Sequence, residues 1–338
     1  MRESKINVLS FLPALGFPVP EEVFQKIGKV SPRVNSVNAS TLSDSASNGD
    51  SKAQKKLDVL MAEAEVIFGF PLPGGGIPLK NITVSAPKLK WVQCAMSGVD
   101  AFGFPEFKNS DILLTNSSGM HGVQVGETAL MHIINMAKNG PKVYRGMAAH
   151  KWDPFIPIIL EKKTVGLIGL GPIGKYIAKL CKSFGMRVIA VEVNPKVKCR
   201  YCDTIFPGNK MLEVLGQADF VVDCLPLIPP TAKIFGLKQF EAMKPTAFFI
   251  NIGRGGTVDH DALFKALQSK EIAGAGLDAL DTEPLPSTSK LWELPNVTVT
   301  PHIGGRREDY NILAIDLFVK NLNRYVNRKK LLNIISKI

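Results

Sequence analysis

The chain has 338 residues, 45% hydrophobic and 21% charged, too apolar for a disordered chain and longer than one core usually serves, so two domains are expected. Its 41 Lys and Arg against 30 Asp and Glu leave a net charge of +11, which suits anionic partners. The densest basic cluster, Arg324, Arg328, Lys329 and Lys330, has only Tyr325 interleaved for base stacking, which argues against nucleic acid as a partner.

The first hundred residues alternate between strand-like and helix-like patterns. Ile6–Leu12 reads as a strand, Glu21–Val30 as a helix, and Arg33–Ala39 as a weak strand. Ser31–Lys56 holds seven serines and three asparagines and reads as a frayed edge strand followed by a mobile loop. Lys52–Ala64 is helical, with Leu57, Leu60 and Met61 on one face. Glu65–Phe70 and Trp91–Met96 are short buried strands separated by a loop through Pro71, Gly74, Gly75 and Gly76. A helix over Val123–Asn139 ends at Gly140-Pro141. Strands are then expected at Thr164–Ile168, Arg187–Glu192, Phe220–Leu225, Ala247–Ile252, Ala273–Leu280 and Val297–Thr300, with helices between most of them. A helix of about twenty residues from near Glu308 closes the chain and is placed to return to the first domain. Such alternation predicts α/β domains with parallel sheets covered on both faces.

No apolar run approaches the roughly 18 residues of a membrane helix. Met1-Arg2-Glu3-Ser4-Lys5 has no secretory h-region, so a cytoplasmic location and no membrane partner are expected. Five cysteines, an odd number, argue against a disulfide framework. Cys199-Arg-Tyr-Cys202 lacks the second pair that a closed zinc site requires, and no metal is expected.

Gly169-Leu170-Gly171-Pro172-Ile173-Gly174 lies between a predicted strand and a predicted helix, the context in which a GxGxxG turn carries a dinucleotide pyrophosphate. Gly169 permits the turn, Gly171 the approach of the pyrophosphate, and Gly174 the packing of helix on strand. Pro172 suits the first helical turn, and with Ile173 it opens the helix whose positive end faces the phosphates. Glu192 ends the next strand, where a carboxylate takes the ribose hydroxyls and favours NAD. Lys196, Lys198 and Arg200 follow closely and leave NADP open. Arg254, Glu283 and His302 each follow a different strand, at the end where open α/β sheets bind ligands. Together they offer an anion clamp, a proton carrier, and a carboxylate to orient that carrier.

The segments Gly169–Gly174, Asn251–Asp259, Leu277–Pro284 and Thr300–Gly304 resemble the D-isomer-specific 2-hydroxyacid dehydrogenases, and Ser97-Gly98-Val99-Asp100 resembles their substrate-carboxylate loop. The resemblance spans the chain from Ile6 to the last helix and is of the glyoxylate/hydroxypyruvate reductase-like kind. It implies a Rossmann-type NAD-binding domain over residues 116–304. A smaller flavodoxin-like substrate domain would comprise 1–115 and 305–338, and a homodimer would form through the cofactor domain. It also implies catalysis by Arg254, Glu283 and His302 on a small anionic 2-oxo or D-2-hydroxy acid. Asp278 would face the nicotinamide carboxamide, and Ser97, Gly98 and Val99 the substrate carboxylate. Two alternatives remain open on the same fold: a phosphite- or formate-type dehydrogenase, and a corepressor-like protein that uses the dinucleotide to govern assembly. Glu283, where formate enzymes carry Gln, argues against formate. Arg306-Arg307 departs from the small residues usual there, and solvated cations are the preferred reading over a role in steering anionic substrates.

Overall fold

The computed structural model describes residues 4–12, 19–71 and 75–335; Gly74 of the expected loop and residues 1–3 lie outside the described residues. The chain divides into two compact units, one formed by Met1–Met120 with Arg307–Ile338, the other by His121–Arg306.

The first unit is built on five parallel strands: β1 (Ile6–Phe11), β2 (Val34–Asn38), β3 (Val66–Gly69), β4 (Trp91–Cys94) and β5 (Leu113–Thr115). Their spatial order, β2-β1-β3-β4-β5, is the flavodoxin-like winding. β1, β3 and β4 are buried along nearly their whole length, as strands covered on both faces are, with Ser10 and Gln93 as buried polar exceptions in otherwise mainly apolar strands. The closing helix, Tyr310–Val326, packs on this sheet, with the Phe318 ring stacked on Phe68 at 4.2 Å. Asn321 on the same helix donates to Gln93 at 2.9 Å, tying a buried polar pair into the apolar layer.

Two expectations need correction here. Much of the serine-rich stretch is ordered as a helix, Ser40–Ser47, followed by a second helix from Ser51. Its hydroxyls are engaged by backbone groups: Ser43 donates to Gly76 O at 2.8 Å, and Ser40 Oγ accepts the Leu12 N–H at 2.7 Å. Asp50 caps the second helix by accepting from the N–H groups of Lys52 and Ala53. The other correction concerns Arg307, whose guanidinium is paired with the Asp309 carboxylate at the start of the closing helix and is no bare cation. That pairing holds the Asp309 carboxyl below its ordinary range and offsets the unfavourable cation at a helix start.

The second unit has seven parallel strands: β6 (Thr164–Ile168), β7 (Arg187–Val191), β8 (Thr204–Phe206), β9 (Phe220–Asp223), β10 (Phe248–Asn251), β11 (Gly274–Leu277) and β12 (Val297–Val299). Their order, β12-β11-β10-β9-β6-β7-β8, reverses direction between β6 and β9. This is the doubly wound Rossmann arrangement, whose ligands bind beyond the carboxyl ends of the strands at the reversal. Apolar clusters fill both faces of the sheet, one including Phe235, Phe249 and Leu263, the other Ile133, Ile177 and Val222. Gly140-Pro141 starts a further helix, Gly140–Ala148, after Asn139 turns through a left-handed conformation. Sequence patterning had missed this helix together with the short strands β5 and β8.

Candidate active site

β6 runs directly into the glycine turn at the sheet's reversal. Gly169 adopts φ +99°, a left-handed conformation that favours glycine. A Cβ on Gly174 would stand 2.4 Å from the Gly169 carbonyl oxygen, so helix and turn touch there. At Gly171 a Cβ would meet nothing within 4 Å, which leaves the backbone approachable at the start of the helix Pro172–Ser183. Glu192 follows β7, and its carboxylate accepts the N–H groups of Leu170 at 3.2 Å and Asn194 at 2.9 Å. The acid is thereby fixed against the turn. An open glycine backbone, helix N–H groups without intrahelical acceptors and an adjacent carboxylate fit a dinucleotide.

Arg254, Glu283 and His302 lie beyond β10, β11 and β12. His302 Nδ1 stands 2.7 Å from Glu283 Oε2, and Glu283 Oε1 accepts the Leu280 N–H at 2.8 Å. An ionised carboxylate only accepts, so Nδ1 carries the proton, and Nε2 is left to face other chemistry. His302 has φ +49°, a left-handed conformation that a β-carbon makes costly. Its turn is held by Asp278, whose Oδ1 accepts the Ile303 N–H and whose Oδ2 accepts the Gly304 N–H, both at 2.9 Å. Arg254 is half-buried, and its Nη1 donates to the Gly253 carbonyl at 2.8 Å.

Behind these residues lie two buried polar chains. In the first, Thr300 Oγ1 donates to Asp278 Oδ1 at 2.6 Å and lies 3.0 Å from His132 Nε2, while His132 Nδ1 lies 3.3 Å from Thr298 Oγ1. Because the Thr300 proton goes to Asp278, His132 Nε2–H is the donor to Thr300. Burial pushes the His132 imidazole down to about 4, keeping it neutral at ordinary pH. In the second, Asp223 at the end of β9 is fully buried beside Thr257, and desolvation pushes its carboxyl up to about 7. Asn251 supports the same region, donating from Nδ2 to the carbonyls of Arg254 and Ala279, each at 3.3 Å, and accepting the Gly253 N–H.

Sequence reading found Asp278 but not its partners, and missed Asp223, Thr257 and Thr300. An acid ending the apolar run Phe-Val-Val-Asp223 was the available signal for Asp223. Thr300 appeared only as the end of a strand.

Ser97, Gly98 and Val99 belong to the first unit, where Ser97 O accepts from Asn116 Nδ2 at 2.6 Å and Ser97 Oγ donates to Ser117 O at 3.3 Å. Cys94 Sγ donates to Gly98 O at 3.7 Å. In the second unit, Trp152 and Ile156 are 95% and 96% exposed, and Met147, Ile159 and Tyr144 add apolar surface nearby in sequence. Among the described residues, no group of three or more His, Cys, Asp or Glu is arranged to hold a metal ion.

Residues 130–304 match the family model described as the D-isomer specific 2-hydroxyacid dehydrogenase NAD binding domain. The chain is 32% identical over 279 residues to glyoxylate/hydroxypyruvate reductase B of Pectobacterium carotovorum, a match covering 78% of this chain and 84% of that one. It is likewise 32% identical over 275 residues to a D-3-phosphoglycerate dehydrogenase of Synechocystis, covering 78% of this chain but only 49% of that longer protein. A solved structure of a D-isomer specific 2-hydroxyacid dehydrogenase from Xanthobacter autotrophicus, in complex with NADPH and MES, superposes with a TM-score of 0.80 at 25% identity, covering 99% of each chain.

Proposed function

The chain belongs to the D-isomer specific 2-hydroxyacid dehydrogenase family and carries its NAD-binding domain, and on that premise we propose that it interconverts a small 2-oxo acid and its D-2-hydroxy acid. Glyoxylate and hydroxypyruvate are the substrates favoured, in line with the reductase to which 78% of the chain aligns.

The dinucleotide is held at Gly169, Gly171 and Gly174, with Pro172 and Ile173 opening the helix toward its pyrophosphate. When bound, its nicotinamide supplies or accepts the hydride at the substrate C2 carbon. Glu192 takes the ribose hydroxyls and repels a 2′-phosphate, which favours NAD. Support for NADP comes from the NADPH bound to the Xanthobacter relative and from Lys196, Lys198 and Arg200 just past Glu192.

The observation that carries this reading is the 2.7 Å contact between His302 Nδ1 and Glu283 Oε2. With Nδ1–H committed to Glu283, Nε2 is the ring atom that donates a proton to the alkoxide during reduction and accepts it during oxidation. Glu283 stabilises the charged ring and fixes its plane. Arg254 grips the carbonyl oxygen and one carboxylate oxygen, a forked task for which a guanidinium is suited. Backbone N–H groups of Ser97, Gly98 and Val99 bind the substrate carboxylate. Asp278 holds the turn that carries His302, and Oδ2 retains capacity for the nicotinamide carboxamide. The apolar surface around Trp152 and Ile156 is the contact of a homodimer.

The test is oxidation of NADH and of NADPH by purified protein against glyoxylate, hydroxypyruvate, pyruvate, phenylpyruvate and 2-oxoisocaproate. Turnover with glyoxylate or hydroxypyruvate is expected. No turnover with any of the five would overturn the reading.

A further inference from the structure

Thr257 Oγ1 makes two short oxygen contacts, 2.5 Å to Asp223 Oδ2 and 2.6 Å to the Arg254 carbonyl oxygen. Each contact requires a proton, and the hydroxyl has one. A backbone carbonyl has none to give. The second proton therefore belongs on the Asp223 carboxyl.

We propose that Asp223 works as a protonated acid and is a positioning residue for Arg254, its O–H donating to Thr257 Oγ1 and the Thr257 O–H donating to the Arg254 carbonyl. The surroundings agree with a neutral acid. Asp223 has no exposure to solvent, and its Oδ1 accepts the Leu225 N–H at 2.9 Å. Among the described residues, the ionisable group facing it is Cys224, whose thiol burial pushes well above its ordinary value, with Cys181 beyond. No cation in that set favours the carboxylate, and desolvation raises the Asp223 carboxyl to about 7 against the two hydrogen bonds that favour ionisation. On ionisation the carboxylate needs the Thr257 proton, which turns away from Arg254. The Arg254 carbonyl then loses its shortest contact and keeps the longer ones from Asn251 Nδ2 at 3.3 Å and Thr257 N at 3.2 Å.

The kinetic consequence rests on the proposed role of Arg254 in gripping substrate. The KM of an anionic substrate is expected to rise about tenfold as pH climbs through the range in which Asp223 ionises, the worth of one hydrogen bond, with a smaller change in kcat. Asp223→Asn supplies an amide N–H to Thr257 in place of the acid O–H, so its KM should stay low across the same range. Asp223→Val should hold the KM high at every pH.

Infrared difference spectroscopy of wild type minus Asp223→Asn tests the proton itself without cofactor or substrate. A protonated-carboxyl carbonyl band is expected near about pH 5.5 and should fade by about pH 8.5. Absence of that band at the lower pH would overturn the proposal. So would parallel KM profiles for wild type and Asp223→Asn. If Asp223→Asn does not fold, Thr257→Ser against Thr257→Val asks the same question, with the low KM kept only where the hydroxyl remains. An Arg254→Ala variant with unaltered KM would count against the role of Arg254 while leaving the infrared result standing.

Discussion

His132 fills space that Gly276 leaves open: a Cβ on this β11 residue would lie 2.7 Å from the ring nitrogen Nδ1. The imidazole can therefore lie against the sheet, fully buried, and reach Thr298 and Thr300 on the next strand and its extension. The result is a directed chain from the His132 Nε2–H through Thr300 to Asp278, which also accepts the Ile303 and Gly304 N–H groups just past His302. A neutral, buried histidine is thus part of the scaffold that holds the turn of His302.

Two buried groups should make stability depend on pH in opposite directions. His132 is lowered in the folded state to about 4 from 6.5. The unfolded chain therefore takes up that proton first, and stability is lost as pH falls between those values. Asp223 is raised to about 7 from 3.8, so the folded chain holds its proton more tightly. Its contribution is full below the unfolded value and disappears as pH rises toward about 7. Each effect is on the order of 3 to 4 kcal/mol, so they largely cancel near pH 5. Urea unfolding of wild type, His132→Leu and Asp223→Asn between about pH 4 and 8 should separate them. Relative to wild type, His132→Leu should gain stability on acidification and Asp223→Asn should lose it. Three parallel curves would contradict both assignments.

Cofactor choice follows from Glu192, which is already fixed by the N–H groups of Leu170 and Asn194. Glu192→Ala removes ribose hydrogen bonds together with repulsion of a 2′-phosphate. The ratio of kcat/KM for NADH over NADPH should therefore fall in the variant. A wild type that already prefers NADPH would transfer control to Lys196, Lys198 and Arg200.

Exposed apolar side chains of this size are unusual on a monomer when they cluster along one segment. If Trp152 and Ile156 lie in a homodimer contact, Trp152→Glu with Ile156→Glu should halve the mass measured by light scattering after size exclusion. A wild-type protein that elutes as a monomer would remove the basis for a dimer.

Most strands and the glycine turn were legible because each depends on local pattern, short apolar runs and glycines at a spacing fixed by the turn they make, whereas the three-residue strands β5 and β8 offer too short a run. Glu283 and His302 were legible as strand-end residues for the same reason. The helix Ser40–Ser47 was not, because its serines are satisfied by Leu12 and Gly76, residues distant in sequence. His132 lies on the helix Gly122–Ala137, yet its hydrogen bonds reach residues 166 and 168 positions away. Nor does sequence reveal that the Thr257 hydroxyl stands between the Asp223 carboxyl and the Arg254 carbonyl. Such links depend on which strands become neighbours.

In the proposed chemistry His302, oriented by Glu283, moves the proton that accompanies hydride transfer. This role is tested most directly by the kcat of His302→Ala in the reductive direction, measured beside its dinucleotide affinity. A fall of roughly 10²–10⁴-fold with little change in that affinity is expected for the loss of a positioned acid. Retained turnover would remove His302 from the chemistry and contradict the account.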